Sequence, residues 1–265
     1  MVQKPFNIPW IIITMCALTG CVTESDQTVF TDPENVVQKQ IELGIGYLRL
    51  EDYHRAKENL NKALTIKPES ALAHTTFGVL FQREGEIELA EEHFRKAIRY
   101  APEFSQARNN YGAFLYAQER YGESIEQLSI ASRDHFYQTR PAVFENLGRA
   151  YLRVNEPARA EQAFVKAIEL NPDQARALLE LAEIRFNQKV YVESWDLYRQ
   201  HAGLSHRSAR SLWLCVQLAE RFSSKDEQAS CSLALRNIFP ATEEYRQFRT
   251  RYGKNGMNMG GTTDE

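Results

Sequence analysis

Residues 41–68 read IELGIGYLRLEDYHRAKENLNKALTIKP, and residues 75–102 read TTFGVLFQREGEIELAEEHFRKAIRYAP. Set one over the other at an offset of 34 residues, the two stretches share glycine, arginine, alanine, lysine and proline at matching places. The match extends along the chain. Gly44, Gly78, Gly112 and Gly148 each follow a large apolar residue, namely Leu43, Phe77, Tyr111 and Leu147. Three residues after each glycine comes Tyr47, Phe81, Leu115 or Tyr151, and twelve after it comes Ala56, Ala90, Ser124 or Ala160. Sixteen after it stands Leu60, Phe94, Leu128 or Phe164, and nineteen after it stands Ala63, Ala97, Ala131 or Ala167. Pro68, Pro102 and Pro172 close three of the four units. A period of this length marks a stack of identical supersecondary units, here two helices each. The glycine of the first helix and the first alanine of the second let two backbones approach closely. The large residues fill the space beside that contact, and the closing proline cannot continue the second helix.

This pattern resembles the tetratricopeptide repeat. The resemblance implies an all-α fold, a right-handed superhelical solenoid of about six tetratricopeptide helix pairs, over residues 36–249. The units fall near 37–70, 71–104, 105–140, 141–174, 175–206 and 207–240. The fifth keeps Leu181, Ala182, Ser194 and Tyr198, but His201 replaces the small alanine and no proline closes it. The sixth is degenerate, about Arg207 to Arg221 and then Lys225 to Phe239, ended by Pro240. Terminal repeats are atypical because one face lacks a neighbour. In the third unit Phe136 stands where proline is expected, and two residues are inserted before Pro141. His135-Phe136-Tyr137 either covers a longer turn or offers an exposed aromatic contact. The Gly-rich, polar stretch 250–265 is expected to be a disordered tail.

The N-terminus carries a different signal. Lys4 precedes the apolar run Ile8 to Leu18 (IPWIIITMCAL), which has the length of a signal peptide and is short for a membrane span. It ends in Leu18-Thr19-Gly20-Cys21, which looks like the bacterial lipobox. On that reading residues 1–20 are removed, and the Cys21 thiol and freed amine carry acyl chains. Several chains anchor firmly where one binds marginally. The rival reading is an ordinary secretory signal with a chance Gly-Cys. Val22, rather than Asp, resembles sorting to the outer membrane. Residues 21–35 (from Val22, VTESDQTVFTDPEN) are polar and read as a lipidated flexible tether.

The composition is that of an ordinary folded protein in water, with 43% apolar and 25% charged residues, and a net charge of −3 gives no strong pull toward nucleic acid. Of four cysteines, Cys16 would leave with the signal and Cys21 would take lipid. Cys215 and Cys231 remain, one in each helix of the last pair. In an oxidising compartment they either form a disulfide that staples the weakest repeat or stay as buried thiols too far apart to bridge. Six scattered histidines show no zinc-hydrolase spacing, and no phosphate loop or Gly-x-Ser-x-Gly elbow is present. No enzyme, metal site or cofactor is expected.

In the tetratricopeptide family, the first helices of the units build the concave wall. Positions two, five, nine, twelve and thirteen of each unit face it. The resemblance therefore places Ile41, Ile45 and Leu48, then Leu72, Thr75 and Val79, then Asn109 and Tyr116, in a partner-binding groove. Its N-terminal part is apolar with a polar rim, suited to a peptide with aliphatic anchors. Asn109 could hydrogen-bond such a peptide's backbone. In the fourth unit Glu145, Arg149 and Arg153 make the wall charged. The competing reading has Ile41, Ile45 and Leu48 packing against the tether or a neighbouring helix.

Lipobox, short tether, repeats and the Gly256-Met257-Asn258 tail together resemble one family, the type IV pilus biogenesis/stability lipoproteins called PilF or PilW. Ser211-Leu212-Trp213-Leu214, and Ala234-Leu235-Arg236-Asn237-Ile238-Phe239-Pro240 followed by Glu244-Tyr245, look like that family's last repeat. The resemblance implies a monomeric pilotin of the pilus secretin. It would bind secretin subunits, be held by its acyl chains at the periplasmic face of the outer membrane, and promote the subunits' localisation and multimerisation. The alternative is a repeat lipoprotein serving outer-membrane protein or cell-wall assembly complexes.

Overall fold

The structure, a computed structural model, describes residues 32–253, and among these it contains thirteen α-helices and no strand. They are α1 (Pro33–Arg49), α2 (Tyr53–Ile66), α3 (Ala71–Glu84), α4 (Ile87–Tyr100), α5 (Ser105–Ala117), α6 (Tyr121–Ala131) and α7 (Arg140–Arg153). Then follow α8 (Pro157–Leu170), α9 (Ala175–Asn187), α10 (Tyr191–Leu204), α11 (Ala209–Arg221), α12 (Lys225–Ile238) and α13 (Glu243–Tyr252). Successive odd and even helices pack as antiparallel pairs, six in all among the described residues. The expected signal peptide, Cys21 and most of the expected tether lie outside the described residues.

The close approach inside a pair rests on the periodic glycine. A Cβ on Gly44, Gly78, Gly112 or Gly148 would sit 2.6 to 2.9 Å from side-chain atoms of Leu60, Phe94, Leu128 or Phe164. All four of those side chains are fully buried. Where serine replaces the small alanine, its hydroxyl finds a partner across the same contact. Ser124 Oγ donates to the Gly112 carbonyl and Ser194 Oγ to the Ala182 carbonyl, each at 2.7 Å. The oversized His201 is buried too, with Nδ1 donating to the Ala175 carbonyl at 2.7 Å.

Every turn from the first to the second helix of a pair is built the same way. Glu51, Gly85, Glu119, Asn155, Lys189 and Ser223 all have positive φ, between 56° and 84°. The next residue in each case returns its N–H to a carbonyl five residues back, at 2.9 Å, as from Asp52 to Tyr47 and from Val190 to Arg185. These are Schellman caps, which satisfy the last carbonyls of the first helix. Only Gly85 uses the residue that enters this conformation without a steric cost.

Two boundaries differ from the sequence reading. The first helix begins at Pro33, not at residue 36, because proline suits the first helical turn, where its missing N–H is not needed. Lys67 Nζ, 2.8 Å from the Glu34 carboxylate, ties that turn to the end of α2. At the other end, residues 250–252 are helical, as part of α13. The Thr242 hydroxyl accepts from the Tyr245 N–H, and Tyr245, Phe248 and Tyr252 form one face that packs with Trp213. The longer turn offered for the third unit is present: α6 stops at Ala131, and residues 132–139 connect it to α7. There Asp134 accepts from the Phe136 N–H at 2.9 Å and from Ser105 Oγ at 2.7 Å. Tyr137 covers the core beside Leu128 and Val143, while Phe136 is 93% exposed.

Candidate functional site

The packing order defines a wall. Each odd helix touches the next odd helix, from α1·α3 through α11·α13, whereas the even helices make no comparable contact with one another. The odd helices therefore form the inner, concave side. α13 occupies an odd position and, among the described residues, no second helix follows it, so it closes the described stack.

The wall changes character along its length. At the N-terminal end Ile45, Leu72 and Val79 are partly buried and retain surface. Ile41, Leu48 and Thr75, read from the repeat positions as groove residues, are 1%, 5% and 1% exposed. They are packing residues: the first two join the core of α1–α3, and the Thr75 hydroxyl donates to the Ala71 carbonyl. Position number within a repeat cannot separate a residue facing the groove from one wedged between adjacent helices. In the middle, Asn146 Nδ2 donates to Asn109 Oδ1 at 3.3 Å, and the Arg149 guanidinium lies 4.4 Å from the centre of the Tyr116 ring.

Toward the C-terminal end, ion pairs join successive odd helices. Arg176 on α9 meets Glu145 on α7 at 3.1 Å. Arg210 on α11 meets Glu180 and Glu183 on α9, with two parallel bonds to Glu180 at 3.0 and 3.1 Å. Arg251 and the Tyr252 hydroxyl on α13 reach Glu220 on α11 at 2.6 and 2.8 Å. Burial pushes the carboxyls of Glu145 and Glu183 up from their ordinary value, against the pull of their arginines. The hydrogen bonds to Glu180 raise the Arg210 guanidinium further above its ordinary value. Sequence reasoning placed charge on the fourth unit but missed this ladder, because its partners lie 27 to 32 residues apart.

The remaining chemistry-bearing residues are placed as follows. Cys215 and Cys231 are joined in a disulfide, with Cα atoms 6.2 Å apart, between α11 and α12. Cys21 lies outside the described residues. Two histidines that looked scattered are brought together: His74 on α3 and His93 on α4 have their Nδ1 atoms 3.1 Å apart. His74 Nε2 donates to the Pro68 carbonyl, so its Nδ1 is left to accept from His93. Phe77, Phe81 and Tyr100 surround the pair.

Burial first, then the neighbouring His74 and Lys96, pushes His93 down to about 4, with Glu92 pulling the other way. Between that value and the ordinary one near 6.5, the unfolded chain binds a proton that the folded chain does not. Stability is then fully present above pH ~6.5 and falls as the pH drops toward ~4. His93 keeps some contact with water, so we expect this pair to account for on the order of 2 kcal/mol. Urea titrations at pH 7.5 and 4.5 check it: H93Q should lose less stability than wild type on acidification. An equal loss in both would remove His93 from the account.

Comparison with known proteins agrees with this architecture. Tetratricopeptide-repeat family models match residues 42–70, 75–134 and 146–209. The fold and its concave wall are those of a tetratricopeptide-repeat scaffold. The chain is 40% identical over 245 residues to the type IV pilus assembly protein PilF of Pseudomonas aeruginosa, covering 90% of this chain and 96% of that one. A solved structure from the functional characterization of Pseudomonas aeruginosa PilF superposes with a TM-score of 0.81 at 39% identity, covering 83% of this chain and 99% of that one. The crystal structure of PilW, a type IV pilus biogenesis factor, shares the fold with a TM-score of 0.68 at 23% identity, over 80% of this chain and 98% of that one. The chain belongs to the PilF family of type IV pilus assembly proteins.

Proposed function

We propose that this chain is the pilotin of a type IV pilus secretin: an outer-membrane lipoprotein that binds secretin subunits and promotes their localisation and multimerisation. The observation that carries the proposal is the 40% identity to a type IV pilus assembly protein along 96% of that protein's length. The lipobox ending in Cys21 supports anchoring, and no described helix is long and apolar enough to cross a membrane. The surface left by Ile45, Leu72 and Val79 supports a peptide-binding role for the wall. Tethering such a wall to a membrane raises the local concentration of whatever it holds, and no turnover chemistry is needed.

The deciding experiment measures secretin multimers in membranes of a strain lacking this protein. The proposal expects high-mass multimers to vanish or to remain in the inner membrane. Normal multimers at the outer membrane, accompanied by general envelope defects, would instead favour a scaffold for other assembly complexes. Two variants refine the test. C21S should keep its helicity and leave the membrane fraction; retention in the outer membrane would remove lipidation from the proposal. I45E should weaken secretin capture about tenfold with unchanged circular dichroism, and undiminished capture would move the contact away from the first groove.

A further inference from the structure

The arginines of the wall fall into two groups. Arg176, Arg210 and Arg251 are each neutralised by a carboxylate of the preceding odd helix. Arg149 and Arg153 on α7 have no carboxylate within ion-pair distance among the described residues, although Glu145, one turn before Arg149, feels its charge. The nearby acids are committed elsewhere, Glu145 to Arg176 and Glu156 to Arg159. Both guanidiniums instead lie over phenol rings, Arg149 at 4.4 Å from the centre of Tyr116 and Arg153 at 4.6 Å from that of Tyr121. The two rings meet edge to face, with centres 5.4 Å apart.

This contact has a definite consequence. The ring bears no formal charge, so each guanidinium keeps its positive charge for an acceptor such as a carboxylate. Two like charges one helical turn apart also repel, and an anion placed between them removes that repulsion. One turn before Arg149, the Asn109–Asn146 amide pair adds donors and acceptors suited to peptide backbone. Ala113 and Ala117 on α5 are exposed and small, so the floor beside Tyr116 is low.

We propose that the wall between α5 and α7 is a binding site for an acidic peptide segment, with Arg149 and Arg153 receiving its carboxylates and Asn109 and Asn146 its backbone. The inference rests on the reading of the concave wall as a protein-binding surface and adds the chemistry of its occupant. The site is distinct from the apolar groove of α1 and α3: aliphatic anchors would sit there and acidic side chains here.

The test is fluorescence anisotropy of labelled hexaglutamate and hexalysine peptides with the full chain at low ionic strength. Hexaglutamate should bind, more weakly as salt rises, and hexalysine should not. R149L and R153L should each weaken hexaglutamate binding at least fivefold. R251L, which removes an already neutralised arginine at the far end of the wall, should change it less than twofold. Arg153 is exposed, so its replacement leaves the fold intact, and circular dichroism verifies both variants. Failure of hexaglutamate to bind, equal binding of hexalysine, or unchanged binding by both variants would each overturn the proposal. Secretin multimer content is scored separately. Binding that depends on both arginines in a chain dispensable for secretin assembly would keep this site and discard the pilotin reading.

Discussion

Replacing Gly148 with valine should destabilise the protein by about 3 kcal/mol, through overpacking of the fourth helix pair. The added Cβ would sit 2.6, 2.7 and 2.8 Å from Cε1, Cζ and Cδ1 of Phe164, and the branch methyls would demand further room. Phe164 is fully buried, and close-packed neighbours on α8 and α9 leave its ring nowhere to swing. Valine regains only a few tenths of a kcal/mol in helix propensity over glycine, far less than the clash costs. The measurement is the urea midpoint at constant m-value. Gly46 supplies the opposite control. No atom lies within 4 Å of its would-be Cβ, so G46A should stabilise α1 by about 0.5–1 kcal/mol. The double variant G148V/F164A should be less damaged than the two single effects added, because removing the ring vacates the space the valine needs. Loss of less than about 0.5 kcal/mol in G148V would contradict the close approach of α7 and α8.

Reducing the disulfide between Cys215 and Cys231 should cost about 3 kcal/mol, concentrated in the last units. The bond spans a sequence separation of 16 and joins the two helices of the sixth pair. Closing a loop of that length removes conformational freedom from the unfolded chain, which is the larger part of the expected effect. The location matters as much as the size. In a stack where each unit touches only its neighbours, a weakened terminal unit frays without unfolding the rest. Limited proteolysis of the C215A/C231A double variant should therefore cut first within α11 to α13 and spare α1 to α8. A midpoint unmoved by reductant, or cutting spread evenly along the chain, would contradict this role. The pair α11–α12 needs such a link because α12 buries only Cys231 and Leu235 among its side chains.

Much of the repeat is written in residue types. Gly148 and Phe164 lie sixteen apart because one is the notch and the other the knob, and that relation is local enough to read directly. The Schellman turns were not legible, since five of the six left-handed residues are Glu, Asn, Lys or Ser rather than glycine. The helix ends on either side hold them there through backbone hydrogen bonds that no side chain announces. The last helix left a trace that could have been read: Tyr245, Phe248 and Tyr252 follow helical spacing. In the candidate groove, the repeat positions led to Ile41, Leu48 and Thr75, which the neighbouring helix buries. Whether such a residue is core or surface depends on how far each unit rotates relative to the next. A single unit's sequence does not contain that quantity.

The sequence by itself determined the unit and its repetition, because glycine notch, apolar knob and closing proline act within about 34 residues, through short-range sterics and burial. It also carries Leu18-Thr19-Gly20-Cys21, which resembles a lipobox. The tertiary structure alone decided which charges are neutralised and which remain available. Glu145 pairs with Arg176, and Glu180 with Arg210, while Arg149 and Arg153 lie over tyrosine rings. Those outcomes depend on distances between residues one repeat apart, and stacking of the pairs fixes such distances only after each pair has formed.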